Sequence, residues 1–504
     1  MEADTEGAPG PSVLILFSDT GGGHRAAAGA LTRALLEIEP TAVVESLDPL
    51  ISQGQPLVRR LTSLYPKIIQ RSGAAWGVIY HTSNTRAAFT ALRGVFGRQV
   101  RGVIAGQLKS QDPDVAVSVH PLLNHITLAA IRRSGRDRGL MTVVTDLVDL
   151  HRGWALPEAD LVVVPTEQAR EAVLGLGVPE ERVRALGLPV DLRFRPPAPG
   201  EKQALRRRFS LDENRPTLLV QGGGEGSGKL LRVVRALAWG EHEWQVIAVC
   251  GRNEKLRRRL SRVRFSTPTA ILGFVDYMPA LMRAADLVVT KAGPGAISEA
   301  LATGVPLVLT GYLPGQETAN VRFVTESGLG VYATRPEELR QAVSRLLEGG
   351  GRDVSAMASR AAAMARPYAS LDIARECLAI ASRYAGSREA GGPGVDSETV
   401  PVGESQGEAS EVEEAHRNGP VVGRRRRWTG WGRRNAATSG EEAAGGAGAA
   451  QGAATTGAPE GDVRTDEAAG ERSADDSVGG APTPPRSPEG RGRKGYRASS
   501  QARR

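Results

Sequence analysis

Residues 291 to 320, KAGPGAISEALATGVPLVLTGYLPGQETAN, hold the densest set of groups in this chain that could do chemistry. Lys291 and Ala292 close an apolar strand over 285–290, and Gly293, Pro294 and Gly295 make a turn. From Ala296 a helix begins, and its first backbone N–H groups, lacking partners within the helix, suit a phosphate. Glu299, one turn further, would accept from a ribose hydroxyl. Beyond a buried strand over 305–310, Gln316, Glu317 and Asn320 supply the donors and acceptors that a sugar needs. A nucleotide-sugar fits this order of parts. A plainer reading stands beside it, in which Glu299 only pairs with an arginine.

A second set lies near the start. Val13 to Phe17 is a short apolar run of the kind that forms a parallel strand covered on both faces, and SDTGGGHR follows before a helical pattern over 26–38. The loop is neither a Walker motif nor a G-x-G-x-x-G fingerprint. Gly22 and Gly23 let another molecule approach the backbone, and His24 sits in the first helical turn, where the positive end of the dipole favours neutral imidazole. His120 follows an apolar strand over 114–119, Asp146 follows another over 142–145, and His151 lies close behind. Polar residues at strand C-termini line the crevice in which open α/β sheets bind ligands. The spacing of His120, Asp146 and His151 has no metal-ligand regularity, so no metal site is expected. A plainer reading stands here too, in which His24 only orients its loop and Asp146 holds His24 or an acceptor lid.

The elements that must position these groups alternate β and α in two half-chains, which predicts an α/β protein of two doubly wound, Rossmann-like domains facing a cleft. The first would span 12–194 and the second 201–370, with a proline-rich linker at 195–200 and a closing helix at 371–385. The second domain carries its own glycine loop at 222–228, containing Gly224 and Gly226. Residues 1–11 and 386–504 read as disordered, since they offer too few apolar clusters to offset the entropy of ordering.

Composition narrows the partners. The formal charge of +8 allows attraction to nucleic acid or to an anionic membrane surface. Residues 56–110 mix apolar side chains with many arginines, as a membrane-interface helix does and as ordinary solvated helices also do. In the tail, RRRRWTGWGRR at 424–434 would suit anionic headgroups, RNA, or merely a soluble tail. Cys250 and Cys377 lie far apart in apolar surroundings, which argues against a disulfide framework and for a reducing compartment. No run of residues approaches the roughly 18 apolar positions of a membrane span. The short acidic N-terminus has no apolar signal region, so a cytoplasmic location is expected.

Taken together, DTGGGHR, SVHPL, the segments 145–149, 187–190 and 222–228, CGRN, KAGPG and GYLPGQETAN resemble the monogalactosyldiacylglycerol synthase family, over about 13–385. That resemblance implies a GT-B glycosyltransferase, related to the enzyme that adds N-acetylglucosamine to lipid-linked peptidoglycan precursors. It implies inverting, metal-independent transfer of a hexose from UDP-galactose or UDP-glucose to diacylglycerol, with no cofactor, at the inner face of the cell membrane. By position, Gly273, Phe274 and Val275 would lie beside the uracil, and Glu299 would take the ribose. Gly224, Gly226, Gly293, Gly295 and Ala296 would seat the pyrophosphate, and Gln316, Glu317 and Asn320 would hold the hexose. His24 would act as the base, with Asp146 in support and Gly22, Gly23, His120 and His151 on the acceptor side. The segment Leu150 to Trp154 departs from the family's CHPTW-like pattern, keeping only the His and the Trp. Competing readings are transfer to a polyprenyl-linked acceptor, epimerisation of a UDP-sugar, and nucleic-acid binding by the basic surface; nucleic acid is not the expected partner.

Overall fold

The structure, a computed structural model, describes residues 10–19, 22–50, 73–223 and 230–385. Gly224, Gly226, residues 56–72 of the basic segment, most of the N-terminal stretch and the tail with its Arg-Trp cluster lie outside the described residues.

Short apolar runs become two six-stranded, wholly parallel sheets. The first has the order β2-β1-β3-β4-β5-β6, with β1 at Ser12–Leu16, β2 at Val43–Leu47, β3 at Val115–Ser118, β4 at Gly139–Val143, β5 at Leu161–Val164 and β6 at Val183–Ala185. The second has the order β12-β11-β10-β7-β8-β9. Its strands are β7 Thr217–Gln221, β8 Gln245–Val249, β9 Thr269–Leu272, β10 Leu287–Thr290, β11 Leu307–Leu309 and β12 Gly330–Tyr332. Central strands such as LVVV and TLLVQ are buried along their whole length. Continuous burial, rather than alternation, is what a parallel sheet with helices on both faces demands.

In the first half, α1 (Gly23–Ile38) covers one face and α2 (Gly73–Ser83), α3 (Arg86–Gln111) and α4 (Asn124–Ile131) belong to the other side, with α5 (Glu167–Gly175) beyond. In the second half, α6 is Glu201–Arg208, α7 Leu230–Ala238, α8 Glu254–Ser261, α9 Met278–Ala284, α10 Pro294–Thr303 and α11 Thr318–Glu326. The sequence pattern separates helices over 336–347 and 354–365. The structure instead forms one element, α12 (Pro336–Met364), jointed at Gly350 and Gly351, whose φ angles of 74° and 75° only glycine adopts readily.

The last helix, α13 (Ala369–Ala385), returns to the first half and packs Ile373, Ala374, Cys377, Ile380 and Ala381 against α1 and the first sheet. In the opposite direction, Leu147, Leu188, Val190 and Phe194 join the core beneath α10. The halves are therefore stitched by apolar contacts from both sides, and Arg33 of α1 pairs with Asp191 at 2.9 Å.

Gly187 sits in this seam with φ 104°, and a Cβ there would meet the Arg366 and Ala369 Cβ atoms at 2.7 and 2.9 Å. Gly187→Ala should lower stability by about 3 kcal/mol, combining left-handed strain with overpacking. Gly177→Ala, with φ 94° and open space around it, should lose only about 1 kcal/mol. Thermal melting of the two variants checks this ordering.

Candidate active site

Each sheet reverses its strand order at one place. β1 and β3 are neighbours, yet the chain leaves them for helices on opposite faces, α1 and α4; β7 and β10 behave alike with α7 and α10. Where neighbouring connections part, a crevice opens at the strand C-termini. His24 and His120 stand at the first reversal, and Lys291 and Gln221 at the second.

At the first, the imidazole of His24 lies edge-on to His120, with ring centroids 4.6 Å apart, and 6.2 Å from Trp154. Its Nδ1 is 2.9 Å from the Thr145 hydroxyl. Burial drives its pKa down to about 4, against the smaller opposing effects of the Val119 backbone and the Asp19 carboxylate. The ring is neutral near pH 7, as a proton acceptor must be. His120, buried beside His24 and His151, is held well below the usual imidazole range, and its Nδ1 accepts from the Leu122 amide at 3.3 Å. Gly22, at φ 84°, and Gly23 leave open space where a Cβ would be.

Asp146 is 4% exposed, and each carboxylate oxygen has a partner. Trp154, fully buried, donates its indole N–H to Oδ2 at 2.7 Å, and Gln316 donates its amide to Oδ1 at 3.2 Å. Burial lifts the Asp146 pKa to about 6, with these two donors and the His151 backbone opposing the rise. Gln316 belongs to the loop between β11 and α11, so this contact joins the two halves. The same loop touches α2, since Gly315 packs on Tyr80 and His81, and Pro314 on Gly77.

Asp146 does not hold His24. Thr145, one residue earlier, does so, because Asp146 is turned to Trp154 and Gln316. His151 also stands apart from the His24 ring: its Nδ1 accepts from the Gly153 amide at 3.1 Å, and its ring packs between Tyr80 and Phe89.

At the second reversal, Gly293 caps α10 without a side-chain hydrogen bond, so Gly295 and Ala296 present first-turn N–H groups. Asn320 is fully buried, gives its amide to the Ala292 carbonyl at 2.9 Å, and keeps Oδ1 without a partner among the described residues. Gln316 Oε1 likewise has none among them. The Glu299 carboxyl group has no hydrogen-bond or ion-pair partner among the described residues, and burial, helped by the Asp191 charge, lifts its pKa to about 8. Phe274 is exposed, its ring under the Arg252 guanidinium at 4.7 Å, while Val275 packs on the core and Gly273 lies against Arg257. Glu317 is 3% exposed and fully engaged, by Lys291 at Oε1 and by the Leu313 amide at Oε2.

Thr145, Trp154, Gln221 and Lys291 stand outside the candidate site set that the sequence defines. Thr145 precedes Asp146 at a strand end and Lys291 lies two residues before Gly293, while Trp154 enters only as part of the 150–154 segment. Gln221 declares itself only through burial.

Two wholly parallel six-stranded sheets, with a loop of the second half hydrogen-bonded to a strand-end carboxylate of the first, make the GT-B glycosyltransferase fold. In agreement, residues 217–370 match the model for the glycosyltransferase family 28 C-terminal domain. Residues 24–190 match the model for monogalactosyldiacylglycerol (MGDG) synthase. Monogalactosyldiacylglycerol synthase 1, chloroplastic, of Arabidopsis thaliana is 33% identical over 373 residues, covering 72% of this chain and 70% of that protein. The spinach (Spinacia oleracea) synthase is 33% identical over 374 residues, covering 72% and 71%. The chain belongs to the monogalactosyldiacylglycerol synthase family. Among solved structures, Acinetobacter baumannii MurG is similar at 16% identity and a TM-score of 0.49, over 73% of this chain and 99% of that one.

The raised pKa of Asp146 gives a pH signature. Because the folded state holds this proton more tightly than the unfolded state, the residue lowers stability as pH rises from about 4 to about 6. Asp146→Asn removes that dependence, so variant minus parent stability should grow by about 3 kcal/mol between pH 4 and pH 7. Urea unfolding at both pH values measures it, and a flat difference would show an ordinary carboxylate.

Proposed function

We infer that this protein transfers a hexose, galactose or glucose, from a UDP-sugar to the free hydroxyl of 1,2-diacylglycerol, giving a monoglycosyldiacylglycerol. Family membership supports the reaction class. The observation that carries the residue roles is the hydrogen bond from Gln316 to Asp146, which brings the donor-half loop to the neutral imidazole of His24.

In this reading Phe274 and Val275 flank the uracil, and Glu299, unpartnered among the described residues and readily protonated, meets the ribose hydroxyls. Gly293, Gly295 and Ala296 seat the diphosphate with the loop of Gly224 and Gly226. Asn320 Oδ1 and Gln316 Oε1, both without a partner among the described residues, suit hexose hydroxyls. The acceptor enters past Gly22, Gly23, His120 and the helices that His151 braces. His24 takes the hydroxyl proton as that oxygen attacks the anomeric carbon in line, with inversion. Backbone amides rather than a metal ion stabilise the departing UDP, as preorganised dipoles do where charge develops.

Diacylglycerol resides in membranes, and no helix among the described residues is long and apolar enough to cross one. Helix α2 offers Val78, 68% exposed, and Ile79, 43% exposed, and the following α3 carries the exposed Arg86 and Arg98. Exposed apolar groups and arginines on successive helices suit an anionic bilayer surface, so peripheral docking on the inner, cytoplasmic face of the cell membrane is the location this reading favours.

Incubation with diacylglycerol vesicles and each UDP-hexose should release UDP and form a glycolipid identifiable by mass spectrometry; no product with any hexose donor overturns the reading. His24→Ala should lower kcat by about 10²- to 10⁴-fold with the donor KM nearly unchanged. Val78→Ser with Ile79→Ser should reduce sedimentation with anionic vesicles by several-fold while activity in detergent is retained.

A further inference from the structure

We propose that the bilayer-facing surface does not end with the first half: Tyr312 and Tyr332 carry it onto the second, so that one lipid surface covers both sides of the seam. This extends the membrane-docking reading above and rests on it.

The contact between α2 and the loop between β11 and α11 fixes where these residues lie. A Cβ on Gly77 would stand 3.1 Å from the Pro314 Cβ, and one on Gly315 would meet Tyr80 at 2.9 Å and His81 at 3.2 Å. Gly77, Tyr80 and His81 therefore share the helix face turned to the second half. Val78, 68% exposed, comes about 100° further round the helix, which puts it at the margin of that face. Tyr312, 37% exposed, precedes Pro314 by two residues, at most about 7 Å along an extended chain.

Tyr332 reaches the same place from another strand. It ends β12, level with Leu309, the last residue of β11. It thus stands at the C-terminal edge of the second sheet, from which the 310–317 loop leaves toward α2. The Tyr332 ring is 41% exposed, and its centroid is 6.1 Å from that of Tyr312. β12 is the edge strand of its sheet. Exposed apolar residues scattered singly need no explanation, but Val78, Tyr312 and Tyr332 gather around one packed contact between the halves.

The side chains suit the two depths of a bilayer surface. Tyrosine settles at headgroup level, its ring against the apolar boundary and its hydroxyl in the wet layer, while the aliphatic Val78 suits a deeper position. Tyrosines would also suit a protein partner. In the proposed reaction, however, the crevice beside this strip admits an acceptor carrying two acyl chains, and a protein seated there would shut that acceptor out. A strip contributed by both halves also ties docking to their arrangement. Only while Pro314 and Gly315 rest on α2 do Val78 and the two tyrosines form one surface, so a bilayer that covers all three favours the closed crevice.

The test uses the full chain with a nitroxide label on Val78→Cys, on Tyr332→Cys, or on Arg259→Cys, an exposed position of α8, which leads into β9 at the other edge of the second sheet. The native Cys250 and Cys377 are buried. Collision of each label with a water-soluble nickel chelate is read by electron paramagnetic resonance, with and without anionic phospholipid vesicles. Vesicles should lower collision at 78 and at 332 by about 3-fold or more and leave 259 unchanged. Tyr332→Ser should lower vesicle partition by several-fold, and Tyr332→Trp should restore it. That loss should persist in about 0.5 M salt, where attraction between arginines and headgroups is screened. The proposal is overturned if 332 stays as accessible as 259 while 78 is protected, because the first half then docks alone. Protection of 332 without vesicles, rising with protein concentration, would also overturn it by showing that a second copy of this chain covers the strip. Vesicle binding with neither 78 nor 332 protected, or no binding at all, would remove the α2 docking reading itself.

Discussion

A single buried carboxylate holds the active cleft together. Asp146 sits at the end of the first sheet's β4 segment, takes the indole N–H of Trp154 from its own half, and takes the amide of Gln316 from the other. Removing a carboxylate from water is costly unless its oxygens are satisfied, and here one of the two donors comes from the opposite half. The satisfaction of this charge and the approach of the donor loop to His24 are therefore one event. The elevated pKa of Asp146 shows that the balance remains close.

Around that link the imidazoles of the first-half crevice stay neutral: His24, His120 and His151 are all held below the usual imidazole range, chiefly by burial. The second-half crevice gathers positive ends, with the α10 amides, Lys291 and the Gln221 amide at one strand reversal. In the proposed transfer, a base that accepts a proton and a seat that receives negative charge would have opposite needs, and separate sheets would let each crevice be tuned on its own.

The loop between β11 and α11 has a further neighbour besides Asp146. Through Gly315 and Pro314 it rests on α2, the helix whose Val78 and Ile79 face outward. The element suited to a membrane surface and the element carrying Gln316 and Glu317 are in direct contact. In the proposed reaction, a lipid acceptor at a surface and a soluble donor in a crevice would meet at this contact.

Much of this was legible in the sequence. Apolar runs of parallel-strand length, each ending in a glycine or polar residue, fixed the alternation of elements. Parallel sheets expose their ligand edge at strand C-termini, so His24, His120, Asp146 and the 293–296 turn were identifiable from position alone. Pairing was not. Whether Asp146 or Thr145 holds His24 depends on strand-end geometry that shifts by one residue, and composition is silent on it. Likewise Glu317 reads as a sugar ligand until its burial and its two internal partners are seen. Local patterns encode which edge of a sheet a residue reaches, whereas the partner of a buried polar group is chosen by elements that may lie 170 residues away, as for Gln316 and Asp146, and only the folded chain brings those together.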